Sequence, residues 1–196
     1  MFKKILLIPI IFLISICGGE DADVTEKSES VENTVNLSVE EPTIDLVTAV
    51  IENDLDTVNQ HIAYGSDLNV QDGTFSNTPL NFAGIYGLTD IANALVDAGA
   101  DLNLINDDNF TPLCNAAAWG HTSVVTILLD AGADLSAKCF ETQIGVSVSL
   151  SIAIGAPYSD YIKSLYVDHG EKYNIPYDET KIIEGREKVI ELLRSR

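Results

Sequence analysis

The chain has 196 residues, which is enough for one domain of ordinary size with appendages. It carries 30 acidic residues against 11 lysines and arginines, and its formal net charge is -19 at pH 7. A chain this acidic repels the phosphate backbones of nucleic acids and the anionic surfaces of membranes, which argues against direct binding to either.

The first predicted element is a secretory leader at residues 1–17. Lys3 and Lys4 give a positive start, and the apolar run at residues 5–16 is shorter than the ~20 residues that cross a bilayer. The run ends at Cys17, and the segment Ile-Ser-Ile-Cys resembles the lipobox of bacterial lipoproteins, which implies lipidation of Cys17. Ile16 stands where that family has Gly, Ala or Ser, so cleaved soluble export and an uncleaved anchor stay open as alternatives.

The second segment, residues 18–41, is predicted to be an acidic disordered tether. It contains eight acidic residues, one lysine and no aromatic residue. Such a composition buries too little apolar surface to offset the entropy of ordering, and its like charges extend the chain. We therefore expect the folded domain to begin at residue 42.

The stretch from residue 42 to about 174 contains a repeat of fixed period. Thr78-Pro79-Leu80 recurs 33 residues later as Thr111-Pro112-Leu113, and the Ala-Gly-Ala-Asp-Leu of residues 98–102 recurs at 131–135. Self-similarity at this period indicates stacked supersecondary units. In each copy a threonine can cap a short helix that begins with proline, a glycine ends it, and a second helix presents an apolar stripe.

Two further copies are less regular. An earlier one begins at Leu46 and ends at Asn69. A fourth, blurred copy follows a short insertion and keeps the pattern residues Leu150, Ala153, Ile162, Leu165 and Gly170.

The clearest copy begins at Thr111 and reads Thr-Pro-Leu-Cys-Asn-Ala-Ala-Ala-Trp-Gly-His. It resembles the ankyrin-repeat consensus T-P-L-H-x-A-A-x-x-G-H. The resemblance implies an all-α repeat fold, an ankyrin solenoid of about four helix-pair repeats over residues 42–174. Residues 175–196 are predicted to form a C-terminal capping helix, because one side carries Ile182, Val189 and Leu193 and the other is charged.

The cysteines and histidines are predicted to be structural. Cys114 stands where ankyrin repeats usually have the histidine that ties adjacent repeats, so we expect a softer interface there. Cys114 and Cys139 fall in different contexts of the repeat, so reduced, partly buried thiols are the default expectation, with a disulfide left open by export. His61, His121 and His169 follow no metal-ligand spacing.

Acidic residues dominate the repeats. Residues 42–137 contain 13 acids and no lysine or arginine. They are predicted either to attract a basic segment of a protein partner or simply to keep an exported protein soluble. Three of them, Asp67, Asp101 and Asp134, lie on the predicted turns and are expected to bond local backbone N–H groups.

The ankyrin resemblance also implies which residues contact a protein partner. These are the finger loops and the two residues before the glycine that ends the inner helix. The corresponding positions are Gln71, Phe75, Asn77, Ile85 and Tyr86 in the second repeat, and Ile105, Asp107, Asp108, Phe110, Ala118 and Trp119 in the third. Tyr86 and Trp119 would form an aromatic ladder along the groove, with packing between repeats as the alternative.

The sequence contains no recognisable catalytic constellation or phosphate-binding loop. It predicts a non-catalytic protein–protein interaction module without a cofactor or metal, monomeric, exported and held in the bacterial envelope by a lipid anchor facing the periplasm. The alternatives are an accessory or inhibitor of one envelope enzyme and a hydrolase with an unfamiliar site. A divalent-cation-binding protein is a further alternative, resting on the cluster Asp101, Asn103, Asn106, Asp107 and Asp108.

Overall fold

The computed structural model describes residues 40–141, 147–149, 163, 167, 170–173, 175 and 177–196. The predicted leader, Cys17 and the tether up to residue 39 lie outside the described residues. So do Leu150, Ala153, Ile162 and Leu165 of the predicted fourth copy, together with His169.

Three helix pairs follow one another along the chain, and a short hairpin and a final helix come after them. The first pair is α1 (Leu46–Ile51) and α2 (Leu55–Tyr64), the second is α3 (Pro79–Tyr86) and α4 (Thr89–Asp97), and the third is α5 (Pro112–Ala118) and α6 (Thr122–Asp130). The hairpin strands are β1 (Lys138–Glu141) and β2 (Ser147–Ser149), and the last helix is α7 (Glu179–Arg194). The predicted all-α stack of helix pairs is confirmed, with the hairpin as an addition.

The inner helices begin as the sequence predicts. The hydroxyl of Thr78 accepts a hydrogen bond from the Asn81 N–H at 3.1 Å, and the hydroxyl of Thr111 accepts one from the Cys114 N–H at 3.2 Å. The residue after each threonine is a proline, whose missing N–H is not needed in the first turn. Both caps therefore fix where an inner helix starts and how its loop enters it.

The core runs through the stack between the two layers of helices. The inner helices α1, α3 and α5 contact one another in sequence, and so do the outer helices α2, α4 and α6. The largest fully buried side chains of the core are Phe82, Leu80, Ile85, Ile91, Leu95, Leu113 and Leu128. No helix of this length is stable alone, so each pair is held by the apolar face of its neighbour.

His61 takes a core position in α2, where it is 7 % exposed. Its Nε2 donates to the carbonyl oxygen of Ile44 at 2.7 Å, and its Nδ1 lies 2.9 Å from the hydroxyl of Ser66. Both ring nitrogens are therefore occupied by structural contacts, as the sequence predicts for a histidine at a core position.

Side-chain amides tie the turns of successive repeats together. The side-chain oxygen of Asn69 accepts from the Asp101 N–H at 2.8 Å, and that of Asn103 accepts from the Asp134 N–H at 2.9 Å. The carboxylates of Asp101 and Asp134 in turn accept from backbone N–H groups two residues further on. The predicted local role of the turn aspartates is confirmed, and it holds for Asp67 too.

The expectation of two reduced thiols is wrong, because Cys114 and Cys139 form a disulfide with their Cα atoms 5.3 Å apart. The bond joins the inner helix of the third repeat to β1, which pairs antiparallel with β2. The expected softening at Cys114 is wrong as well, because a covalent bond links the third repeat to the segment that follows. The turn at residues 135 and 136 leads the chain into β1, which holds Cys139.

Most of the predicted fourth copy lies outside the described residues. The helix α7 packs against α5 and α6, and its N-cap residue is Asp178, whose carboxylate accepts from the Lys181 N–H at 3.1 Å. Gly170, which belongs to the pattern of the predicted fourth copy, lies inside a helical segment and lacks the positive φ of the glycines that end the three repeats. That this last helix caps the stack stays a prediction.

Two glycines set how closely α7 approaches the stack. Gly120 has φ +77, and a Cβ there would lie 2.9 Å from the Cα of Gly185 and 2.9 Å from the carbonyl oxygen of Ile182. The two backbones touch at this point without side chains between them. Just beyond the C-terminal end of α7, the guanidinium of Arg196 meets the carboxylate of Asp130 at 2.7 Å.

Candidate partner-binding groove

The candidate site begins with two loops that precede the inner helices, at residues 70–77 and 103–110. Three hydrogen bonds join them: the Gln71 side-chain amide to the Ile105 carbonyl at 3.2 Å, the Asp107 N–H to the Phe75 carbonyl at 2.9 Å, and the Asn106 amide to the Asn77 side-chain oxygen at 2.8 Å. The loops therefore form one connected rim rather than two independent fingers.

Seven of the predicted contact residues reach the surface. Gln71, Ile105 and Asp107 are exposed, and the side chain of Ile105 is 50 % exposed. The other accessible ones are partly buried and comprise Phe75, Tyr86, Asp108 and Ala118. These residues are therefore accessible, and their contact with a partner stays a prediction.

Four predicted contact residues are buried, so their assignment to a partner is corrected. Asn77 and Ile85 have no exposed surface, and Phe110 and Trp119 are 8 % and 7 % exposed. Asn77 supports the rim from below, and the other three belong to the apolar core. The predicted ladder of Tyr86 and Trp119 is therefore wrong on the Trp119 side.

Asp72, which the sequence analysis did not select, organises the first loop. One of its carboxylate oxygens accepts from the Asn77 N–H at 2.6 Å, and the other accepts from the Thr74 N–H at 3.0 Å. The Asp72 N–H also donates to the Asn77 carbonyl at 2.9 Å. The pair Asp72-Gly73 was a readable turn signal, because aspartate side chains bond backbone groups shortly after them.

A later part of the chain lies in this groove. The ring of Tyr173 meets the ring of Phe82 edge-on, with centroids 4.9 Å apart, and the ring of Phe75 at 6.1 Å. Its hydroxyl donates to the carboxylate of Asp72 at 3.0 Å, and its carbonyl oxygen accepts from the hydroxyl of Tyr86 at 3.1 Å. We call the five residues that receive this segment the groove site: Asp72, Thr74, Phe75, Phe82 and Tyr86.

The preceding residue completes the contact. The ammonium group of Lys172 donates to the hydroxyl of Thr74 at 2.8 Å and lies 6.0 Å from the centroid of the Phe75 ring. That distance permits a cation–π attraction at an exposed site. The groove site therefore receives a cation and an aromatic hydroxyl side by side.

Both tyrosines of the site are neutral at physiological pH. Burial raises the pKa of Tyr86 to about 12. Burial, and then the negative charge of Asp72, raise the pKa of Tyr173 above its usual range. Each phenol therefore keeps its proton and acts as the donor in its hydrogen bond.

Residues 46–139 match the family model described as ankyrin repeats, in three copies, which spans just under half of the chain. This part of the chain consists of ankyrin repeats. Such repeats generally mediate protein–protein interaction and are typically non-catalytic. No curated protein matches the chain.

Within the ankyrin repeats, side chains of the cluster around Asp101 accept hydrogen bonds from backbone N–H groups of their own loop. The side-chain oxygen of Asn106 accepts from the N–H groups of Asp108 at 3.1 Å and Phe110 at 2.8 Å, and Asp101 binds the Asn103 N–H. Among the described residues there is no group of three histidines, cysteines or acids that could hold a metal ion. The structure thus supplies nothing in favour of the cation-binding alternative in these loops.

His121 has the structural position that the ankyrin consensus implies. Its Nε2 donates to the carbonyl oxygen of Ile85, in the preceding repeat, at 3.0 Å. Burial lowers the pKa of His121. The histidine ties two ankyrin repeats together in its neutral form.

In the part of the chain that the structure describes, no helix is both long enough and apolar enough to cross a membrane.

Proposed function

We propose that this protein is a non-catalytic interaction module of the bacterial envelope, whose ankyrin groove receives a protein partner. The single observation that supports it most is the rim, in which exposed Gln71, Ile105 and Asp107 are held in register by bonds between the two loops. A preformed rim loses little entropy when a partner docks, which favours binding.

The charge of the repeats supports a partner with a basic segment. Residues 42–137 have no lysine or arginine that would repel a cationic partner. Electrostatic complementarity of this kind speeds encounter and makes binding sensitive to salt.

The disulfide supports the proposed location. Disulfides persist in oxidising compartments outside the cytosol, and Cys114–Cys139 is such a bond. Together with the predicted leader and the lipobox-like Cys17, it favours an exported protein anchored by lipid. The mass of the mature N-terminus tests this: a lipidated Cys17 supports the lipid anchor, and a chain that still begins at Met1 contradicts it.

Binding to an envelope extract tests the interaction itself. The full chain, its rim variant Ile105→Ala/Asp107→Asn and the control Tyr64→Ala are immobilised and compared. Tyr64 is 44 % exposed and ends the outer helix α2, outside the two rim loops at residues 70–77 and 103–110. We expect one or more envelope proteins to be retained by the wild type and the control and lost with the rim variant. Equal retention by all three chains contradicts the proposal, and a single dominant partner favours a dedicated accessory or inhibitor.

A further inference from the structure

The groove site is already occupied by the chain itself. Lys172 and Tyr173 lie 98 and 101 residues after their hydrogen-bond partners Thr74 and Asp72. They come from a segment outside the ankyrin repeats matched at residues 46–139. Besides the docking of α7, which follows it in the chain, this segment is held by its own side-chain contacts with the groove site.

Each contact recognises one feature of the pair. The Asp72 carboxylate accepts the phenol proton of Tyr173, while Phe75 and Phe82 contact its ring. The Thr74 hydroxyl receives the ammonium group of Lys172. The site is therefore complementary to a cationic side chain followed by a tyrosine.

We propose that Lys172-Tyr173 is a self-ligand of the groove site, and that the protein partner carries the same pair, a cation directly followed by tyrosine. This inference rests on the proposed function, since it names the chemistry of the partner segment. Binding of the partner then requires displacement of residues 172 and 173 from the groove.

Competition within one chain is strong for a physical reason. A tethered segment competes at an effective concentration of up to the millimolar range, so a free segment at micromolar concentration displaces little of it. The apparent affinity of the groove is its intrinsic affinity multiplied by the fraction of molecules in which it is vacant. Occupation by Lys172-Tyr173 therefore lowers the apparent affinity. The self-ligand therefore sets a threshold that only a tighter or more extended partner exceeds.

The test uses the full-length protein and a dye-labelled, end-blocked peptide with the sequence of residues 168–175, which contains the Lys-Tyr pair. Fluorescence anisotropy measures its binding to the wild type and to Tyr173→Ala. We expect Tyr173→Ala to bind the peptide about tenfold or more tightly than the wild type does, because its groove is vacated. A peptide with phenylalanine in place of the tyrosine is expected to bind several-fold more weakly, because it cannot donate to Asp72.

Equal peptide binding by the wild type and a natively folded Tyr173→Ala overturns the proposal. So does equal binding of the tyrosine and phenylalanine peptides, because recognition by Asp72 is part of the claim. If Tyr173→Ala does not fold, Tyr173→Phe and Lys172→Glu replace it. The first keeps the ring against Phe82, and Lys172 is exposed, so both keep the packing. Each is expected to raise peptide affinity several-fold, and no change in either overturns the proposal.

The result is separable from that of the proposed function. In one outcome the peptide does not bind, but an envelope partner is retained and its binding depends on Ile105 and Asp107. That outcome contradicts the self-ligand and supports the interaction module. In the other outcome the vacated groove binds the peptide tightly, but no envelope partner is retained. That outcome contradicts the interaction module and supports the self-ligand only as an internal contact.

Discussion

Asn81 and Cys114 occupy the same position in successive ankyrin repeats, and each links its repeat to the segment that follows. The side-chain amide of Asn81 donates to the Phe110 carbonyl at 3.2 Å, and Cys114 is bonded to Cys139. At this position the consensus has the histidine that ties repeats. The chain thus keeps the link between repeats while changing its chemistry from a hydrogen bond to a covalent bond.

Removing the covalent link is expected to destabilise the third repeat. The disulfide joins residues 25 apart in sequence, and closing a loop of that size contributes about 3 kcal/mol to the free energy of unfolding in the chain-entropy account. Cys114→Ala/Cys139→Ala should therefore lower the urea midpoint under oxidising conditions. With a reductant, the wild type should fall towards the variant while the variant stays unchanged. If reductant does not change the urea midpoint of the wild type, the disulfide does not stabilise the third repeat.

Asn81→Ala is expected to cost about 2 kcal/mol of unfolding free energy, because it leaves buried hydrogen-bonding groups unpaired. The side-chain oxygen of Asn81 accepts from both the N–H and the hydroxyl of Thr78, in addition to the bond to Phe110. Asn93→Ala is the matched control, since Asn93 is exposed in α4 and should change stability by less than about 0.5 kcal/mol. Chemical denaturation of both variants measures the difference, and similar values would contradict the role of Asn81.

The stack could be predicted from the sequence because its signals are local and repeated. Thr78 and Thr111 each stand before proline at the same spacing, and the cap they make depends on residues three positions away. The turn aspartates could be predicted for the same reason, because they recur at equivalent positions of the repeats. The hairpin after Ala137 has no such copy elsewhere in the chain, so its pairing with the third repeat through Cys139 could not be inferred.

The groove was predicted only in part, for two physical reasons. Ile85 and Tyr86 are adjacent in one helix, where neighbouring side chains point about 100° apart, so both cannot face the groove. The structure buries Ile85 and leaves Tyr86 accessible. The contact of Tyr173 with the groove could not be predicted from the sequence, because Tyr173 is 101 residues from Asp72 and does not correspond to a position of the repeat pattern.

Gly185→Ala tests the close approach of α7 to the stack. In an exposed helix this change gains up to about 1 kcal/mol, because alanine is the better helix former. Here a Cβ at Gly185 would lie 2.9 Å from the Cα and the carbonyl carbon of Gly120, so we expect a loss of about 2 kcal/mol instead. The exposed Glu187→Ala in the same helix serves as the control. A stabilising Gly185→Ala, measured by thermal unfolding, would show that α7 is not docked there.

The pH dependence of stability is expected to report on His121. Burial lowers its pKa below the unfolded value of 6.5, so above that pH it is neutral in both states. As the pH falls below 6.5 the unfolded chain takes up the proton first, and stability drops by at most about 1.4 kcal/mol per pH unit for this one group. Melting temperatures between pH 7.5 and 5.0 should fall more steeply for the wild type than for His121→Gln. Parallel profiles would assign the pH dependence to other groups.

Substitution of Trp119 tests whether this residue belongs to the core, as its burial indicates, or contacts a partner, as its position in the repeat implies. Trp119 directly precedes Gly120, where α7 touches the third repeat, and it is 7 % exposed. Truncating a buried side chain of this size costs about 3–5 kcal/mol, so Trp119→Ala should unfold far more easily than the wild type in urea. Ile105→Ala, on the exposed rim, should stay within about 0.5 kcal/mol and lose partner binding instead. If Trp119→Ala kept its stability and lost only the partner, the tryptophan would belong to the groove surface after all.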